Sequence, residues 1–322
     1  MATRSSALAA IQGLTNFASG YANDRISQSI LADAYFLTGQ PIPAALNFEF
    51  AQFDRADGIT IPNTKTALND PVGAILAFGG TKVQGTLDSH RATTDWYDVG
   101  PSITDADLLL QLQGGAKMGT QALVTGRFQR ILNAASTAAG AAALTINSTT
   151  SPTQAVSQIQ SVVQTVQKAC AGYCDINILF GAGAFQLFSN ATNVQGRLSG
   201  GATKNIPSTP TEQDIARLIG YNVTVKVTNA VYNSAAVGQT ATGAFLLDNS
   251  IYVAAVSPTP SREDPSALKI FAGYGDNAFT PTYIRHANPQ YEATTWGWKE
   301  QIVAPEFVAT ICSFHPHVVA SY

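Results

Sequence analysis

The period of the apolar positions changes along this chain, and each change marks an element. Ile26 to Leu37 reads as a short helix that stops in "TGQPIPAAL", where Pro41 and Pro43 cannot continue it. "NFEFAQF" carries Phe48, Phe50 and Phe53, which suggests a strand. "DRADGITIPNTKTALNDPVGAILAFGG" is rich in Gly, Pro, Asn and Asp and predicts an extended loop with little core of its own. "TKVQGTLDSHRATTDWYDV" is extended, with weak alternation. From Thr104 to Ala135 the period becomes helical. Val124, Phe128, Ile131 and Ala135 fall on one face, and Asp105 and Asp107 lie in the first turn, where the helix dipole favours them. Gly114-Gly115 weakens the middle, so the spacing predicts one long helix or two in line.

The best-defined helix follows. Ser151-Pro152-Thr153-Gln154 is a capping-box pattern with Pro at the first helical position. Val156, Ile159, Val163, Val166 and Cys170 keep three-to-four spacing, and Gly172 is the expected stop. Thr209-Pro210-Thr211-Glu212 repeats the device ahead of a short helix, Ile215 to Ile219, ending at Gly220. "YNVTVKV" alternates as a half-buried strand, and "AFLLDNSIYVAAV" is two apolar runs split by Asp248-Asn249-Ser250, which predicts a hairpin. "PTYIRH", "YEATTWGWKEQIV" and "EFVATICSF" are strand-like. The fold class is α+β, with helices and strands segregated rather than strictly alternating.

Charge changes the picture more than apolar content does. Of the 322 residues only 12% are Asp, Glu, Lys or Arg, about half the usual share. Ala, Thr, Asn, Gln, Ser and Gly take their place. Such a surface suits a protein that covers much of itself with neighbours better than a free monomer, whose solubility leans on charge. The net charge of −3 gives no global basic field for nucleic acid. Three cysteines are too few and odd for a disulfide scaffold. No apolar run approaches the roughly 20 residues of a membrane span. Ala7 to Leu14, interrupted by Gln12 and Gly13, makes a poor signal peptide and reads as a retained arm.

Candidate chemistry is sparse. "ILFGAGAFQLF", residues 178–188, has the strand, Gly181-x-Gly183 and helix of a dinucleotide-binding turn. The third glycine position is Gln186, however, and no acid stands about 20 residues on to hold a ribose. The expected role of both glycines is a tight turn, with Phe185 and Phe188 packing inward. Cys312, His315 and His317, with Cys170 and Cys174, supply zinc-type ligands on paper only, since Gly172 parts the first pair and Pro316 the last. Four histidines (His90, His286, His315 and His317) and no nucleophile elbow give no catalytic constellation. We therefore expect no catalytic, cofactor or metal residues, and no enzyme. Trp296 and Trp298 share one face of a strand, with Tyr291 nearby, as sheet core or as interface.

The order of these segments resembles the major capsid proteins of tailed bacteriophages, the Hong Kong 97-type fold, over most of the chain. The run "YDVGPSITDADLLLQLQGGAKMGTQALVTGRFQRILNAAS" is similar to the family's spine helix and its approach. "INILFGAGAFQLFSN", "EQDIARLIG", "YNVTVKV" and "AVYNSAAVGQTATGAFLLDNSIYVAAV" are similar to its axial domain, and "KIFAGYGDNAFTPTYIR…YEATTWGWKEQIVAPEFVATICS" to its closing strands. The resemblance implies an N-terminal arm at 1–46, an extended loop at 47–98, a peripheral domain with spine helix at 99–149, an axial domain at 150–256 and closing peripheral strands at 257–322. It implies a coat protein that forms pentamers and hexamers of itself in an icosahedral shell around double-stranded DNA. That shell is a virion part assembled in host cytoplasm, without cofactors or membrane. The alternative it implies is a nanocompartment shell holding enzyme cargo. Two departures stand out. Arg127 and Arg130 occupy the spine where an acid is often found, and no charged helical segment precedes the arm, which points to a separate scaffolding protein or none. Portal and decoration proteins are further implied partners. Arg4, Arg25 and Arg55 are candidates for weak DNA contact. Lys65 and Lys82 lie in the loop, but nothing beside them predicts the covalent crosslinking seen in some relatives.

Overall fold

The computed structural model describes residues 25–52, 81–97, 105–139, 144–147, 155–169, 174–198, 210–236, 239–262, 266–273, 280–284, 291–303 and 310–315. The apolar stripes dictate its helices. The first helix, α1 (Arg25–Thr38), buries Ile30, Leu31, Ala34 and Leu37 and ends where Gly39 turns to a positive φ of 74°. A side chain at Gly39 would also strike the Pro260 ring, since a Cβ there would lie 2.6 Å from its Cγ. The long helix α2 (Asp105–Ala139) runs 35 residues without interruption through Gly114-Gly115. Its stripe of Val124, Phe128, Ile131 and Ala135 is fully buried. On α3 (Ala155–Ala169), Val156, Ile159, Val163 and Val166 are buried in the same way. The predicted cap at 151–154, Cys170 and the stop at Gly172 lie outside the described residues.

Two five-stranded sheets receive these helices. The first contains β1 (Ile42–Ala44), β4 (Asp88–Tyr97), β11 (Lys269–Gly273), β12 (Thr280–Ile284) and β13 (Tyr291–Val303). β13 is its spine: β4 pairs along one edge of it, and β12 and then β11 along the other. β1 adds in parallel outside β11. The second sheet has the order β5 (Leu144–Asn147), β14 (Thr310–His315), β10 (Ser250–Val256), β6 (Asp175–Phe180) and β7 (Val223–Val227). Its centre is β10, whose Ile251–Val256 run is buried on both faces, as a strand covered by helices on each side must be. On one face Asn177 Nδ2 donates to the carbonyl of Phe36 in α1 (2.7 Å), and the Tyr252 hydroxyl reaches the carbonyl of Leu132 in α2 (3.4 Å). On the other face, Phe180 stacks against Phe185 and Phe188 of α4 (Ala182–Ser189), with centroids 5.7 and 5.5 Å away.

A separate ribbon, β2 (Asn47–Gln52) against β3 (Thr81–Thr86), lies within the extended loop expected at 47–98, whose last part is instead β4 of the first sheet, and residues 53–80 lie outside the described residues. A small second core of Ile42, Ala44, Phe48, Leu87 and Phe271 fixes its base, with Phe48 and Phe271 4.2 Å apart. Among the described residues α4 and two further short helices, α5 (Thr192–Leu198) and α6 (Glu212–Ile219), lie between β6 and β7, and that pair is parallel. A second ribbon pairs β8 (Val231–Asn233) with β9 (Gly243–Phe245).

Three sequence expectations change. The run "AFLLDNSIYVAAV" is not a hairpin: its first half pairs with β8, and its second half, β10, pairs with β6 and β14. Apolar runs flanking a turn signal do not by themselves fix which edge each run seeks. The capping box of α6 lies two residues later than expected. Thr211 is the cap, its hydroxyl accepting the Asp214 amide (3.3 Å), while the Asp214 carboxylate accepts the Thr211 amide (3.0 Å). Of the arm expected at 1–46, residues 25–46 are part of the folded body, since α1 belongs to the main core and β1 to the second.

Candidate functional site

The turn at Gly181 is the first place to test for chemistry, because helix N-termini bind anions through their free amides. Here the amides are already satisfied. Gly181 donates to the Ser250 carbonyl (2.9 Å), Ala182 to that of Leu247 (3.3 Å) and Ala184 to that of Asp248 (2.9 Å). The Asp248 carboxylate accepts the Gly183 amide at 3.0 Å. An acid of the chain itself therefore occupies the position where a phosphate would sit. Gly181 is extended, with φ −71°, so its glycine answers a close approach rather than a left-handed turn. A Cβ there would lie 2.2 Å from the Asp248 carbonyl oxygen, and one at Gly183 would lie 2.4 Å from the Asp248 carboxylate. Phe188 is fully buried as expected, and Phe185 is partly buried against the same core. Sequence reading assigned the glycines correctly and missed Asp248, whose Asp-Asn turn gave no sign of what it would face 65 residues earlier.

The zinc-type residues that are described, Cys174, Cys312 and His315, do not converge. Cys174 is buried just before β6, while Cys312 aligns through Ile251 with Phe180 at the other end of that strand. Six residues of extended chain separate those ends, roughly 20 Å. His315 is further along β14 in the same sheet. Cys170, His286 and His317 lie outside the described residues. Among the described residues, no three His, Cys, Asp or Glu side chains group as metal ligands. His90 stands opposite Trp298 in the β4–β13 register, and Trp296 opposite Ala92, so both tryptophans occupy the spine strand of the first sheet.

Buried polar groups tie α1 down. The Asp33 carboxylate, 5% exposed, meets the Lys226 ammonium at 2.7 Å and accepts the Thr228 hydroxyl at 2.6 Å. Lys226 also lies 5.8 Å from the Phe36 ring centre. Arg127 is buried within α2 and donates to the Tyr35 hydroxyl at 2.6 Å, so it is a structural link to α1. Arg4, Arg55 and Lys65 lie outside the described residues. Lys82 falls in β3, and Arg25 opens α1. Elsewhere, hydrogen bonds from the Thr211 hydroxyl and amide, with the Arg217 charge, hold the Asp214 carboxyl below its ordinary value, and burial raises that of the Tyr252 hydroxyl.

What the surface offers is apolar. Ile26, Leu46, Met118, Val231, Tyr232 and Phe245 are all more than two-fifths exposed. Ile26, Val231 and Tyr232 line a groove of about 550 Å³ between α1, α2 and the β8–β9 ribbon. Among the described residues no helix is long and apolar enough to cross a membrane.

No family model and no curated protein sequence matches the chain. Solved structures do. A phage-related protein of Bordetella bronchiseptica RB50 superposes with a TM-score of 0.58 at 11% identity, covering 89% of this chain and 95% of that one. A chain of Mycobacterium phage Bobi gives 0.50 at 12% identity, covering 88% and 90%. The capsid of Myoviridae phage XM1 gives 0.49 at 7% identity, covering 88% and 91%. At these identities the likeness is one of fold.

Proposed function

We propose, for a chain with the Hong Kong 97-type fold, that it is a major capsid protein. Copies of it assemble as pentamers and hexamers into an icosahedral shell that encloses double-stranded phage DNA. The observation that carries the reading is the near-complete fold match, 89% of this chain against 95% of the phage-related protein. The chemistry of the surface supports it. A shell subunit buries a large surface against copies of itself, which favours few charges and exposed apolar side chains, and this chain has both. The turn at Gly181, which has the form of a ligand cradle, is filled by Asp248, which favours a structural role for it. DNA contact in this reading is weak and independent of sequence, and a net charge of −3 gives no global basic field to strengthen it. A separate scaffolding protein, a portal and decoration proteins are further partners of such a shell.

Electron microscopy of the purified, concentrated protein tests the proposal: closed shells or ring-shaped capsomers are expected. A chain that stays monomeric at high concentration across salt and pH would overturn it. Shells recovered with protein cargo in place of DNA would replace it with the nanocompartment reading.

A further inference from the structure

The groove between α1, α2 and the β8–β9 ribbon combines three properties. Its walls are apolar or uncharged: Ile26 and Ile30 from α1, Ala122 and Thr125 from α2, Val231 and Tyr232 from β8. Among the described residues no Asp, Glu, Lys or Arg lines it, and the Arg130 guanidinium stands beside its Gly126 wall, 3.2 Å from where a Cβ on Gly126 would lie. Three of those side chains, Ile26, Val231 and Tyr232, are 56%, 50% and 42% exposed, which is costly for an apolar wall left in water. The groove also lies where the preceding chain enters. Ile26, on its rim, is the second residue of α1, and 24 residues come before that helix.

The sequence of those residues matches the walls. Only Arg4 and Asp24 are charged, and Leu8, Ile11, Leu14, Phe17 and Tyr21 recur at every third or fourth place. A segment tethered at the rim of a groove binds as an intramolecular ligand. Its effective concentration is of millimolar order for a short flexible connection, well above that of any free competitor in dilute solution. We infer that residues 8–21 of the same chain dock in this groove and cover Ile26, Val231 and Tyr232 in the free subunit. The inference rests on the capsid reading only in treating the free subunit as the state before assembly.

Disulfide trapping in the full-length chain tests it. Leu8, Ile11, Leu14 and Phe17 are changed to Cys one at a time, each paired with Gln121→Cys or with Tyr232→Cys. Dilute protein is oxidised mildly, and the links are mapped by mass spectrometry. A link within one chain is expected for at least one pair, with its yield falling several-fold when Val231→Asp is added. Mixing isotope-labelled and unlabelled chains identifies the source. Links found only between chains would show that a second copy fills the groove, and would overturn the inference. The absence of any link in all eight pairs would overturn it too. Shell formation is scored separately by electron microscopy on the unmodified chain, so the inference and the capsid reading fail independently.

Discussion

At the scale of single residues, the turn at Gly181 shows what a local pattern can and cannot tell. Strand, two glycines and helix were legible in "ILFGAGAFQLF" because each depends on neighbours in sequence. The occupant of the helix N-terminus was not legible, because Asp248 arrives from a distant turn. The two glycines should respond differently to substitution. At Gly181 the obstacle is the Asp248 backbone, which is held by β10 and cannot swing away, so Gly181→Ala should cost about 2–4 kcal/mol in urea unfolding. At Gly183 the obstacles are the Asp248 and Asn249 side chains, which can rotate out at the loss of one cap, so Gly183→Ala should cost only about 1–2 kcal/mol. Neither variant should gain thermal stability from NAD or ATP, and a nucleotide-dependent shift would restore the cradle reading. Asp33 invites a second comparison. Lys226→Met leaves its buried carboxylate with the Thr228 hydroxyl alone and should cost about 2–3 kcal/mol. Asp33→Asn keeps a partner for Thr228 and leaves Lys226, 28% exposed, to water, so it should cost less. The reverse order in denaturant melts would show that the pair is not held by charge.

At the scale of elements, helices with a long apolar stripe were read well, the short α5 (Thr192–Leu198) was not, and sheet neighbours were read poorly, for a physical reason. A helix stripe such as Val124, Phe128, Ile131 and Ala135 is a property of consecutive residues, whereas strand pairing is a choice among distant edges. This is why "AFLLDNSIYVAAV" was split between two sheets without warning. It is also why α1 passed for an arm: its stripe of Ile30, Ala34 and Leu37 was visible, but Asp33 in the middle gave no hint of Lys226. The α6 cap offers a test with a defined sign. The Asp214 carboxyl titrates below its ordinary value of 3.8 in the folded chain, so its contribution is present above that pH and is lost as the pH falls through the folded value. Asp214→Asn should therefore be less stable than the parent at neutral pH, and the gap should begin to narrow near pH 3.8 and close as the pH falls through the lower folded value. A gap unchanged down to the acid limit of folding would remove the carboxylate from the explanation. The hydroxyl is the other half of the box, and Thr211→Ala should cost about 1 kcal/mol at neutral pH.

At the scale of the whole molecule, the scarcity of charge sets how copies should associate. With 12% charged residues and exposed side chains such as Leu46, Met118 and Phe245, contacts between subunits have little to gain from ion pairs and much from removing apolar surface from water. Hydrophobic association weakens on cooling, while ionic contacts weaken as added salt screens them. On the proposed capsid reading, the concentration at which shells first form should therefore rise when the protein is chilled, and should change little between about 0.05 and 0.5 M sodium chloride, a range over which the screening length falls severalfold. Light scattering against concentration, at several temperatures and salt levels, measures both responses. Phe245→Ser should raise that concentration further, by more than its cost to the monomer, which is about 1–2 kcal/mol in urea unfolding because a ring 43% exposed still buries over half of its surface. If assembly instead collapsed with modest salt, ion pairs would have to outweigh apolar burial at the contacts. The few charges would then be concentrated there, and the link drawn from composition to shell would be the step that fails.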